Sequence, residues 1–277
     1  MGGWAQTSDS AVEVQAKLQQ EYVGKVVFLR NFYTDPALTF DSAGNVYGKA
    51  TRGYGAIDGS FHVAKVTLTG TTVVMEGDTP IAIWDPEAQK INWEASGMHR
   101  AVTVAVKNPD DAAGLLSGIF WGAQEALGTC TAMERKRWID FEADALKKLG
   151  TISAKKSDAK SKEEAATLAD VHRSCFPTGE TAYTVGKGVA APKARHDPEP
   201  SFTQSARRKH LTGDALVSMI VDANGRPSSL VLVGKLLPEG LSEQAWKAIR
   251  TWRFAPAKFK GEAVPVAVNV EMHFGWN

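Results

Sequence analysis

Long apolar runs are missing from this chain. A helix that crosses a bilayer needs about 20 consecutive apolar residues. The longest run here, Leu115 to Phe120, is broken by Ser117 and Gly118 and suits a buried helix. An excess of either charge is missing too. The 32 Lys and Arg nearly balance the 31 Asp and Glu, leaving a formal net charge of +1, so no basic face argues for nucleic acid. Cysteine is scarce: Cys130 and Cys175 suit one disulfide in an oxidising compartment, or two free thiols. Neither has a second cysteine at metal-ligand spacing, which excludes a zinc site of that kind.

Catalytic signatures are also missing. There is no phosphate-binding glycine loop, no nucleophile elbow and no paired metal motif. His172 stands three residues before Cys175, the spacing of a Cys/His nucleophile, but Pro177 interrupts the helix that would align them and no third orienting group follows. His62 and His99 border strand patterns, and His196, His210 and His273 read as surface or cap residues. Asp58, Asp85 and Asp222 each stand where turn chemistry favours aspartate. Trp84, Trp93 and Trp121 read as packing residues, with a carbohydrate-binding surface as the alternative. The expectation is a protein that is not an enzyme and uses no cofactor, metal or nucleic acid.

What is present suffices for two cores: 277 residues, 43% hydrophobic and 23% charged. Gly3-Trp4-Ala5 before Gln6 has the small residues of a secretory cleavage site, so export behind a signal peptide is expected. Ser10 to Tyr22 reads as a helix with Val14, Leu18 and Tyr22 on one stripe, ended by Gly24. Lys25 to Tyr33 and Leu38 to Phe40 read as strands. Phe61 to Thr69, Thr71 to Glu76, Pro80 to Asp85, Lys90 to Glu94 and Arg100 to Val106 then follow at close spacing, the pattern of an antiparallel sheet or small barrel. In the first of these, alternation sets Val63, Lys65, Thr67 and Thr69 on one face.

From Asp110 the period becomes helical, with Leu115, Leu116, Ile119, Phe120, Ala123 and Leu127 on one side. A second helix is expected from about Ala132 to Leu149. Residues 1–150 are therefore expected to form an α+β domain, antiparallel and β-rich with helices. Residues 151–195 read as a charged loop and a Gly/Pro connector, extended from Val185 to Pro192.

Residues 196–277 read as a second domain. Gly213 to Asp222 is a strand and Ala223-Asn224-Gly225-Arg226 a tight turn. Leu241, Ala245, Ala248, Ile249 and Trp252 give a helix one apolar side, and Lys260-Gly261-Glu262 is a second turn. In the last strand Val264, Val266, Val268, Val270, Met272 and Phe274 share one face. Pro265, Ala267, Asn269, Glu271 and His273 share the other, so one face is expected to be buried and one wet. The expected result is a small three-stranded antiparallel sheet backed by two helices.

Ala206-Arg207, then Asp222 to Gly225, then Trp252-Arg253-Phe254-Ala255-Pro256-Ala257, in that order, resemble the C-terminal domain of TonB, a periplasmic protein that acts on outer-membrane receptors. The resemblance covers about residues 197–274. It implies a periplasmic or cell-envelope protein whose last strand pairs with an extended segment of a TonB-dependent receptor. Partner-binding residues are then Pro200, Phe202, Arg207, Pro265, Ala267, Asn269, Glu271 and His273. Phe202 and Thr203 stand where the family places a tyrosine and a proline, a departure in the stretch that approaches the receptor. The family couples to an inner-membrane motor through an apolar anchor and a Pro-rich spacer. Neither pattern occurs in residues 1–277, so receptor docking without traction is expected. The alternative is an exported scaffold whose TonB-like domain packs on its own chain or forms a homodimer.

Overall fold

The computed structural model describes residues 5–85, 88, 90–121 and 182–276, and the chain divides into two compact units. The first unit takes in residues 5–80 and 95–121, the second residues 81–94 and 182–276. Cys130, Cys175, His172 and the helix expected near residues 132–149 lie outside the described residues.

In the first unit, α1 (Ala5–Tyr22) leads through a left-handed Gly24 (φ 78°) into β1 (Val26–Leu29). After β2 (Ala37–Phe40) come β3 (Ser60–Thr69) and β4 (Thr72–Asp78), whose turn opens at Gly70. Two strands, β5 (Ile81–Asp85) and β6 (Lys90–Glu94), belong to the second unit. The chain resumes here with β7 (His99–Ala105), α2 (Ala112–Ile119) and β8 (Phe120–Trp121). The sheet order is β2-β7-β4-β3-β1-β8, antiparallel except that β2 runs parallel to β7. The expected all-antiparallel arrangement is corrected at that pair.

Leu18 and Tyr22 on α1, Phe61, Val63 and Val66 on β3, and Val73, Met75, Val102 and Val104 across the sheet share one buried core with Leu116 and Ile119. Each such side chain contributes about 1.5–3 kcal/mol over exposure. Gln15 fastens α1 to β3, donating to the Val66 carbonyl at 2.7 Å and accepting from the Leu68 amide.

Two expectations fail where strands of this sheet meet. A bulge between Val63 and Lys65 shifts the register of β3, so Val63 and Val66 both reach the core and Lys65 is exposed. Opposite the bulge is Gly77, where a Cβ would come within 1.9 Å of the His62 carbonyl oxygen. The second correction is at Phe120 and Trp121. They leave the expected helix and pair with Leu29 and Phe28 of β1. Arg100 is wholly buried, its guanidinium donating to the carbonyls of Tyr33 and Ser60, which satisfies a charge that burial would otherwise penalise.

The second unit continues with β9 (Tyr183–Thr184), β10 (Val189–Ala190) and β11 (Lys193–His196). Then come α3 (Gln204–Arg208), β12 (Gly213–Val221), β13 (Pro227–Val233) and α4 (Leu241–Thr251). The short strands β14 (Arg253–Ala255), β15 (Ala257–Phe259) and β16 (Glu262–Val264) lead into β17 (Val266–Phe274). The antiparallel trio β13-β12-β17 is the three-stranded sheet that the sequence pattern predicts. It is the middle of a six-stranded sheet, order β6-β5-β13-β12-β17-β9.

The expected count of three strands is corrected because the chain adds its own strands at both sides. The β5–β6 hairpin, assigned by position to residues 1–150, pairs β5 in parallel with β13, Ala82 beside Val231 and Trp84 beside Val233. Trp84 is buried there at 1% exposure, which removes it from any carbohydrate-binding surface. Of the two helices, α4 packs Leu241, Ala245, Trp246 and Ile249 into the core with Met219, Leu230, Leu232 and Val266. The other, α3, contributes Ala206.

Candidate functional site

An extended sheet has spare hydrogen-bonding capacity only at its outer strands. Among the described residues, β6 is one outer strand: five residues, with Lys90 and Glu94 exposed at its ends. Short, charge-flanked edges resist pairing. The other side differs. β17 pairs with β12 along its full length, from Val266 opposite Val221 to Phe274 opposite Gly213. On its outer side β9 covers only Val266 and Ala267. Among the described residues, nothing pairs with the outer side of Val268–Phe274, a stretch of roughly 20 Å at about 3.3 Å per residue.

The direction of each backbone group follows from one observed bond. The Pro265 carbonyl accepts the Tyr183 amide at 2.8 Å, so it points outward, away from β12. Successive residues alternate, which turns the N–H and C=O groups of Asn269, Glu271 and His273 outward as well. The even residues bond to β12. The same alternation puts Val221 in a non-bonded position against β13, where its neighbour is Pro227, a residue with no N–H to offer.

Side chains alternate between the two faces. Val266, Met272 and Phe274 are buried with α4, while Asn269, Glu271 and His273 are exposed. Of the predicted partner-binding residues, those three share one exposed face of the open stretch. Ala267 is half-buried opposite Thr184, and Pro265 is buried. His273 Nδ1 lies 2.6 Å from Asp214 Oδ1 on the neighbouring strand.

Phe202, half-buried, stands edge-on to Phe274 with centroids 5.3 Å apart and lies 4.5 Å from the Trp276 ring. It closes the far end of the edge with an aromatic cluster that His210 joins at 5.5 Å. Pro200 is half-buried and Arg207 is exposed on α3. Neither belongs to the β17 edge.

Thr203 has a structural use. Its hydroxyl accepts the Ala206 amide at 3.1 Å as the N-cap of α3 and donates to the Glu239 carbonyl at 2.8 Å. The Glu239 carboxylate is held below its ordinary range by hydrogen bonds from Lys209 and then Ser205. Sequence reasoning missed Tyr183, whose amide sits on the edge, and Trp276, which is 46% exposed at its end. The connector expected to run extended from Val185 to Pro192 is corrected here, because it reverses at Lys187 and Gly188 between Gly186 and Val189; a glycine on each side of Lys187 was the available sign.

Among the described residues, no group of three His, Cys, Asp or Glu side chains is placed to hold a metal ion. No helix of the described residues is long and apolar enough to cross a membrane. What the edge can do chemically is pair with another extended backbone.

The family described as the Gram-negative bacterial TonB protein C-terminal matches residues 198–275. Protein TonB2 of Pseudomonas aeruginosa is 33% identical over 82 residues, 30% of this chain, and the match spans 30% of that protein's length. The solution NMR structure of the Pseudomonas aeruginosa TonB CTD aligns with 34% of this chain and 93% of its own, at 17% identity and a TM-score of 0.28.

Proposed function

We propose that the TonB C-terminal domain formed by residues 198–275 binds an extended segment of an outer-membrane receptor by strand addition to β17, as a periplasmic component of TonB-dependent transport. The observation that carries this reading is the outer side of Val268–Phe274, which is open among the described residues. The opposite flank of the trio, β13, is closed by the β5–β6 hairpin, so among the described residues of this sheet the longest unpaired edge is the one on the last strand. Main-chain bonds to Asn269, Glu271 and His273 would supply affinity, and alternate side chains would supply selectivity. The role is recognition, with no bond made or broken.

A second reading takes support from the same hairpin and from β9. Both are strands of this chain added to its own sheet, as expected of an exported scaffold that closes on itself or on a second copy. Photocrosslinking in the cell envelope separates the two, with the reactive group at exposed Asn269. Recovery of a β-barrel receptor is the expected result. Recovery of this chain alone would move the assignment to the scaffold.

A further inference from the structure

One end of the edge is already taken by the chain itself. Tyr183 lies opposite Val266 and Thr184 opposite Ala267, in parallel register. The Tyr183 amide bonds to Pro265 and its ring packs on Phe259, centroids 5.3 Å apart. The hold is slight: β9 has two residues, both exposed, and Val185 after it is 50% exposed.

The chain then reverses at once. Gly186 and Val189 exchange both backbone hydrogen bonds, at 3.1 and 3.0 Å. Lys187 (φ 51°) and Gly188 (φ 91°) form the turn between them. Val189 is buried and pairs with Phe259 on β15. The turn is thus anchored on one side, and β9 hangs from the other. β9 also precedes the region that matches the family, which begins at residue 198.

We propose that β9 is a displaceable strap on the peptide-binding edge. An incoming strand that pairs along all of β17 evicts Tyr183 and Thr184 and takes over the Pro265 carbonyl and the face of Phe259. The partner segment therefore carries an aromatic or large apolar side chain at that end. Until eviction, the strap lowers apparent affinity by the fraction of molecules in which the edge is closed. This rests on the strand-addition reading above.

The test uses the full chain and a synthetic peptide of alternating valine and threonine, opened by phenylalanine, closed by lysine and long enough to span Val266–Phe274. Amide hydrogen exchange is followed with and without saturating peptide. The expected result is added protection at Asn269, Glu271 and His273 and lost protection at Tyr183. Tyr183→Pro, which lacks the donor, binds the peptide about twofold to tenfold more tightly, the range set by one net hydrogen bond. If Tyr183 stays protected while the β17 amides gain protection, or if Tyr183→Pro leaves affinity unchanged, the strap is overturned and strand addition stands. If no β17 amide gains protection, strand addition itself fails and the strap falls with it.

Discussion

Gly225 and Phe254 meet backbone to backbone. The Phe254 amide donates to the Gly225 carbonyl at 2.9 Å, and a Cβ on Gly225 would come within 2.0 Å of the Phe254 carbonyl oxygen. The turn from Asp222 to Gly225 and the run Trp252 to Ala257 are thus two sides of one contact. Asp222 shapes the turn by accepting the amides of Asn224 and Arg226 at 2.8 Å each. Gly225 then takes a left-handed conformation, φ 77°. Gly225→Ala brings both a φ penalty and a backbone clash, and should destabilise the second unit by about 2–4 kcal/mol. Urea denaturation followed by tryptophan fluorescence measures this; a loss below about 1 kcal/mol would show that the contact yields easily.

Ala82 ties β5 to β13 opposite Val231, and both residues are fully buried. Proline here removes an N–H from a strand with neighbours on both sides and should cost about 3 kcal/mol or more. It would also uncover β13, which is buried from Ser228 to Val233. An uncovered apolar edge recruits other strands. Sedimentation velocity of Ala82→Pro should therefore show association that exceeds wild type and grows with concentration. Unchanged sedimentation would mean that β13 is protected by something other than the hairpin.

Asp41 shapes a turn in the first unit much as Asp222 does in the second, accepting the amides of Ala43 and Asn45 at 2.9 Å each. Those backbone bonds, Asn45 first and Ala43 second, hold its carboxyl below the ordinary value of 3.8. A lowered folded-state pKa means that the contribution is complete above the unfolded value and fades as pH falls through the folded one. The Tm gap between wild type and Asp41→Ala should shrink on acidification from about pH 6 to about pH 2. A gap that stays constant would assign the effect of Asp41 to turn geometry without its charge.

The parts legible in the sequence are those governed by local period and turn chemistry. The alternation from Val266 to Phe274 marks a buried and an exposed face directly, and so singles out Asn269, Glu271 and His273. The helix stripe of Leu18 and Tyr22 is legible for the same reason. What could not be read depends on partners distant in sequence. The bulge at β3 answers Gly77 on the neighbouring strand, and Ala82 pairs with Val231 without any local sign of it. The parallel pairing of β2 with β7 is equally silent. A strand of two residues, such as β9, has no period to detect.

The strand-addition reading depends on which backbone groups face outward, and proline can interrogate that residue by residue. Asn269 opposes Ser218 and Val270 opposes Val217 across the same pair of strands. By the alternation set at Pro265, the Asn269 N–H points away from β12 and the Val270 N–H toward it. Asn269→Pro should therefore keep the fold, as edge strands admit proline where the N–H faces solvent. Val270→Pro should break the β12 ladder and cost about 3 kcal/mol or more. Only the first variant isolates binding: folded, but without the outward donor, it should bind the peptide of alternating valine and threonine at least about twofold to tenfold more weakly. Denaturation curves for both variants and a peptide titration of Asn269→Pro supply the readings. If Asn269→Pro unfolds while Val270→Pro does not, the outward set is the even residues. If Asn269→Pro folds and still binds at full affinity, the partner does not pair through this strand.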